Sequence, residues 1–153
     1  MWEQLKRIIK PNGAIVLFGS EPFSSALRMS NIKQYKYDWV WDKKIPSGMS
    51  YARHQPMRQS ELISVFNSKT YNPQMTKRDK PIKGGGMKNS DSAMTNGYKA
   101  LKKTYEYKNP TNIISFDKIR KRSLHPTQKP VALIEYLIKT YSLENEVILD
   151  FTS

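Results

Sequence analysis

The chain contains no cysteine. Disulfides and thiolate metal sites are therefore excluded, and a reducing cytoplasm, the expected compartment, is compatible. Only two histidines occur, His54 and His125, and no acids are spaced to join them, so a metal centre is not expected. No apolar run approaches the ~18 residues of a membrane span, and no stretch reads as a signal peptide. No two prolines are adjacent. Acids are scarce: 13 Asp and Glu stand against 26 Lys and Arg, a formal net charge of +13 at pH 7. Such an excess favours polyanionic partners, with a merely solvated surface as the bland alternative.

The 153 residues suit one domain, which can bury about two-thirds of the surface its unfolded chain exposes. The charge is uneven. Residues 33–129 hold 21 of the 26 Lys and Arg but 7 of the 13 Asp and Glu, a net +14, while the remainder carries 5 against 6, a net −1. A near-neutral scaffold thus holds a strongly basic middle, the electrostatic footprint of nucleic-acid binding.

Trp2, Leu5, Ile8 and Ile9 have helical spacing, and Pro11-Asn12-Gly13 ends that helix in a turn. Ala14 to Phe18 is a compact apolar strand that leaves through Gly19-Ser20. Ser20, Glu21 and Pro22 then start a helix with Phe23, Ala26 and Leu27 facing inward. Strand, tight turn and helix at this spacing predict an α/β layer. Tyr35, Tyr37, Trp39 and Trp41 alternate with Lys36, Asp38, Val40 and Asp42, which predicts a strand with one aromatic face. Core packing is the first reading of that face; an aromatic stacked on an extruded base is the sharper one. Residues 43–59 are polar, punctuated by Pro and Gly, and carry Arg53 and Arg58. Glu61 to Phe66 reads as a second strand, antiparallel to the aromatic one.

Residues 68–112 change character. Their only Ile, Leu or Val residues are Ile82 and Leu101, and Lys77, Arg78, Lys80, Lys102 and Lys103 are interleaved with Tyr71, Tyr98, Tyr105 and Tyr107. Such a stretch cannot build its own core and is expected to be mobile without a partner, or else to be a disordered insertion. Asn112 to Phe116 reads as a short returning strand. Arg120, Lys121 and Arg122 then place a basic run just before His125.

The last stretch is the most specific. Ile134, Leu137, Ile138 and Tyr141 recur at i, i+3, i+4, i+7 on one helical face, and Pro130 fits the helix's first turn. Val147, Ile148 and Leu149 make a short apolar run read as a buried strand, closed by Asp150. An acid at the carboxyl end of a strand in an α/β chain points at the crevice where such folds bind ligands.

His125-Pro126-Thr127-Gln128-Lys129-Pro130, then the helix, then Ile148-Leu149-Asp150-Phe151, resembles the permuted, β-type DNA amino-methyltransferases, which use S-adenosylmethionine on adenine N6 or cytosine N4. The resemblance implies an α/β fold: a partial Rossmann-like sheet with an inserted basic target-recognition region. It implies a catalytic half at 1–67, the target-recognition region at 68–112, and a cofactor-binding helix and strand at 113–153. S-adenosylmethionine is the implied cofactor and double-stranded DNA the implied partner, with no membrane. Lys129, at the mouth of the helix, is the candidate partner of the methionine carboxylate; His125 and Thr127 bond the same group or shape the opening. Asp150 would accept from the methionine ammonium, and Phe151 would pack on the cofactor. Arg53, Arg58, Lys77, Arg78, Lys80, Lys102, Lys103, Arg120, Lys121 and Arg122 are the candidate DNA contacts.

Phe151 stands where the family has proline, and the family's (D/N/S)PP(Y/F/W) loop, which accepts the amine's hydrogens, is absent from these residues. The glycine-rich loop expected after the last strand would lie beyond Ser153. A central fragment, inactive alone, of an enzyme favouring adenine N6 over cytosine N4 is therefore expected. The alternative is a basic nucleic-acid-binding remnant without catalysis, or one half of a split enzyme.

The basic middle generates the first test. Log affinity for duplex DNA should fall by about 0.9 per unit of log salt for each phosphate neutralised. A filter-binding titration across salt measures the slope; a flat profile would contradict electrostatic binding.

Overall fold

A computed structural model describes residues 1–84, 104–119, 125 and 127–151. The chain divides into two compact units, residues 1–72 with 111–153, and residues 73–110.

The larger unit has three layers. Its sheet runs in the order β1 (Ile15–Gly19), β3 (Arg58–Phe66), β2 (Tyr35–Ser47), β6 (Ile113–Ser115). Strand β3 is antiparallel to both β1 and β2, and β2 is parallel to β6. Strands β1, β2 and β6 therefore point the same way, and β3 alone runs against them; β1 and β6 stop level with Val40 to Asp42, and β2 runs on to Ser47. Helices α1 (Trp2–Ile8) and α2 (Phe23–Ser30) cover one face, and α3 (Val131–Tyr141) covers the other.

Alternation along the strands sorts the two cores. Leu5, Ile15, Leu27 and Phe66 are buried together on the α1/α2 side, with Trp2, Leu17 and Tyr35 against them. Trp39, Trp41, Ile63, Val65 and Ile114 are buried with Leu133, Leu137 and Tyr141 of α3. Both indole N–H groups have partners, as burial demands. Trp39 Nε1 donates to the Tyr141 hydroxyl, and Trp41 Nε1 donates to the Phe116 carbonyl at 2.8 Å. Burial pushes the Tyr141 hydroxyl well above the ordinary phenol range, so it stays protonated. Asn72 fastens the same C-terminal end of α3: its N–H donates to Thr140 O at 2.8 Å and its amide to Ser142 O at 3.0 Å. Those helix-end carbonyls lack intrahelical donors.

The sheet, the first two helices, the antiparallel partner strand and α3 match the expectations from the sequence. Four details differ. The aromatic strand does not keep one face: Tyr35 pairs with Phe66 and Tyr37 with Val65, so Lys36 is an extra residue. That bulge sends Tyr35 to the α1/α2 side, where its ring meets Phe66 at 5.8 Å, while Trp39 and Trp41 face α3. On α2, Ser24 and Leu27 turn inward and Phe23 stays 60% exposed. Gly19 explains the register of that turn, because a Cβ there would lie 2.7 Å from Ser24 Oγ. On α3 the buried stripe is Leu133, Leu137, Thr140 and Tyr141, one position round from the expected face, and Ile138 is exposed.

The fourth difference concerns the end of the chain. Val147, Ile148 and Leu149 do not form a strand, and Val147 is 88% exposed. A parallel strand needs hydrogen-bonding neighbours and covered faces to bury its apolar side chains. Among the described residues, none pairs with this run, so Asp150 is not carried on a strand end.

In the smaller unit, β4 (Thr76–Lys83) and β5 (Thr104–Lys108) form an antiparallel ribbon. Lys77 lies opposite Tyr107 and Ile82 opposite Tyr105, with a register break between. Arg78 Nε donates to Tyr107 O at 3.2 Å across the ribbon. Residues 85–103, on which much of the expected mobility was placed, lie outside the described residues.

Leu133 is 0% exposed between α3 and the sheet. Leu133→Ala should cost about 2–5 kcal/mol, transfer and cavity together, read from urea unfolding.

Candidate functional site

The carboxyl ends of β1 and β6, level with Val40 to Asp42 of β2, define the edge at which an α/β sheet holds ligands. Gly19 ends β1 opposite Leu62, and the next step along β3 brings Glu61 opposite Trp41. The Glu61 carboxylate therefore sits just past the end of β1. It accepts from two lysines: Lys129 Nζ on Oε1 at 2.6 Å and Lys43 Nζ on Oε2 at 2.8 Å. Its side chain is only 12% exposed.

Two aromatic rings complete the cluster. Lys129 Nζ lies 4.8 Å from the Phe18 centroid and 5.6 Å from that of Trp41; Lys43 Nζ lies 5.2 Å from Trp41. Each ring face attracts an ammonium, and more strongly where water is thin. Burial pushes the Glu61 carboxyl up, but hydrogen bonds and charge from Lys129 and Lys43 outweigh it and hold it below its ordinary value. Two cations on one carboxylate leave the cluster net positive.

Lys129 leads through Pro130 into α3, so the cluster stands at that helix's N-terminus. Pro130 makes no side-chain cap, and Val131 is 74% exposed. Leu133 N–H donates to Pro130 O at 3.1 Å, while the N–H groups of Val131 and Ala132 come too early in the helix to reach an intrahelical acceptor and carry partial positive charge. Just before them, Thr127 Oγ1 lies 2.8 Å from His125 Nδ1, and Thr127 N–H donates to the same nitrogen at 3.3 Å. That pair folds the opening tightly and keeps both residues exposed. An ammonium, a helix N-terminus and a hydroxyl form a donor set for a carboxylate-bearing small molecule.

The family model described as DNA methylase, of the N6/N4 methyltransferase group, matches residues 1–152. The chain belongs to the DNA methylase family. Its fold is similar to the crystal structure of the M1.HpyAVI–SAM complex, with a TM-score of 0.54 and 20% sequence identity. The match covers 95% of this chain and 62% of that one, so the chain spans less than two-thirds of that structural neighbour.

The other candidate residues lie elsewhere. Asp150 and Phe151 follow the unpaired run 147–149, and both are exposed. Arg53 is exposed in the β2–β3 connection. Arg58 opens β3 and, with Ser47, Gly48, Tyr51, Gln55 and Pro56, lines an open cleft of about 370 Å³. Lys77, Arg78 and Lys80 lie on β4. Lys102, Lys103, Arg120, Lys121 and Arg122 lie outside the described residues. Among the described residues, no cluster of His, Cys, Asp or Glu could hold a metal.

Reading the sequence for chemistry missed Glu61, Lys43 and Phe18. Glu61 had a signal: it is an acid opening an apolar strand within a span rich in cations, where a buried carboxylate needs partners.

Because Glu61 is held below its ordinary carboxyl range, its pairing stabilises the fold above the unfolded pKa. That contribution is lost as pH falls through the lower, folded pKa. Glu21, Asp42 and Glu135 are shifted the same way. The comparison is therefore between wild type and Glu61→Gln: thermal unfolding from pH 7 to pH 3 should show a shallower acid-side loss in the variant. Parallel curves would show that the pair contributes nothing.

Proposed function

We propose that this chain is the cofactor- and DNA-binding part of an S-adenosylmethionine-dependent DNA methyltransferase. It modifies an exocyclic amine, adenine N6 in preference to cytosine N4. The observation that carries the reading is the match of residues 1–152 to the DNA methylase family, with Lys129 paired to Glu61 beside Phe18 and Trp41 at the start of α3.

The residues present fit the cofactor by donor chemistry: S-adenosylmethionine carries a carboxylate, and Lys129 with the start of α3 supplies cationic and N–H donors. When bound, it supplies an electrophilic methyl group. Lys129 holds the carboxylate end, and His125 and Thr127 shape the opening. Asp150 accepts from the ammonium, and Phe151 packs on the cofactor. No Pro-Pro pair occurs in these residues, so they bind and orient, and the amine-accepting loop is not among them. In such transfers orientation supplies much of the rate.

DNA is held by charge. Arg53, Arg58, Lys77, Arg78 and Lys80, together with Lys102, Lys103, Arg120, Lys121 and Arg122, contact phosphates, and residues 68–112 serve as the target-recognition region. The neighbour's bound SAM and the net +14 of residues 33–129 support this reading.

Tritiated-methyl transfer to mixed-sequence duplex DNA, using the intact protein that carries this sequence, is the test. Labelled N6-methyladenine is expected on nucleoside separation, lost when Lys129→Ala and Asp150→Ala are combined. N4-methylcytosine would reassign the target, and label in no base would refute the proposal.

A further inference from the structure

Glu61 does more than neutralise a lysine. Its two oxygens take two different ammonium groups, at 2.6 and 2.8 Å, and its side chain is 12% exposed. Lys129 is enclosed on its inner side by that carboxylate, by Phe18 at 4.8 Å and by Trp41 at 5.6 Å. The Lys129 side chain still keeps 24% exposure. An ammonium has three donors, and one is spent on Glu61. A lysine left to itself has a long flexible stem and must be immobilised when a ligand arrives. Here that ordering is already done.

We infer that Glu61 is a positioning residue: it orients Lys129 toward the mouth of α3 and keeps Lys43 beside it, so that a ligand carboxylate meets a fixed donor and net positive charge. The inference rests on the proposed cofactor reading of Lys129. It has a consequence that charge counting does not share. Glu61→Gln removes a negative charge beside two lysines, so by charge alone a carboxylate ligand should bind more tightly. If Glu61 acts by orientation, the same ligand should bind more weakly.

Calorimetric titration separates these outcomes. S-adenosylmethionine and methylthioadenosine share the nucleoside, but only the first bears a carboxylate. In Glu61→Gln, affinity for S-adenosylmethionine should fall about tenfold, the scale of one lost charge-assisted hydrogen bond, while that for methylthioadenosine stays unchanged. NMR signals of the two protected lysine ammonium groups should be present in wild type and lost in the variant. Glu61→Asp, which keeps the charge, should recover part of the lost affinity, and it serves as the second variant if Glu61→Gln does not fold. Tighter binding of S-adenosylmethionine by Glu61→Gln would overturn the inference, as would an equal loss for both ligands or ammonium signals indifferent to Glu61. Binding of neither ligand by wild type would refute the cofactor reading itself, and the inference with it.

Discussion

The burial of Trp39 and Trp41 beneath α3 sets the rest of the architecture. Each indole is 2% exposed, and each finds a partner for its N–H, one in the Tyr141 hydroxyl and one in the Phe116 carbonyl. Those two bonds fix different things. The first locks the last turn of α3 over the sheet, and Asn72 reinforces that end from the segment after β3. The second ties the chain leaving β6 to β2. With α3 held at its C-terminal turn and packed along Leu133 and Leu137, its N-terminus falls at the edge where β1 and β6 end, beside Trp41 and Lys43 of β2. Lys129 then has no distance left to span: Trp41, which packs the core, is also one wall of its ammonium site.

Charge is placed against this scaffold in two ways. The Arg28 guanidinium joins Glu21 at 2.5 Å and Asp38 at 2.7 Å, pinning α2 to β2 on the face away from α3. The Glu21 half of that arrangement is exposed and contributes little on its own. The Glu61 cluster is different because it is drier, and a carboxylate taken from water is tolerated only with full pairing. Two lysines supply it and leave an excess of positive charge. The same residues that make burial of Glu61 tolerable therefore create a place that attracts an anion.

Much of the fold was legible because periodicity is a local signal. The spacing of Trp2 and Leu5, the apolar run at 14–18 and the strand composition of 61–66 depend on neighbours close in sequence. The misses were non-local. Nothing in Tyr35-Lys36-Tyr37 announces that Lys36 will bulge and move one aromatic to the opposite core. Ile134 and Ile138 are more apolar than Thr140, yet Thr140 is buried beside Leu133 and Leu137, because the stripe that faces the sheet is decided by the tryptophans opposite. Val147-Ile148-Leu149 has strand composition, but a strand exists only where another lies beside it. For the site, the six residues at 125–130 pointed to Lys129. Its partner Glu61 is 68 positions away, and the closure that brings them together is the fold itself.

The start of α3, the end of β1 and the middle of β2 at Trp41 are proposed as one ligand site. The most direct measurement is a map of backbone amide shifts, by two-dimensional NMR, on adding S-adenosylmethionine to the chain. The account predicts perturbations grouped at Gly19, Trp41, Glu61, Thr127, Lys129 and Val131, residues far apart in sequence. Shifts confined to the cleft around Tyr51 and Arg58, with those six unmoved, would contradict it.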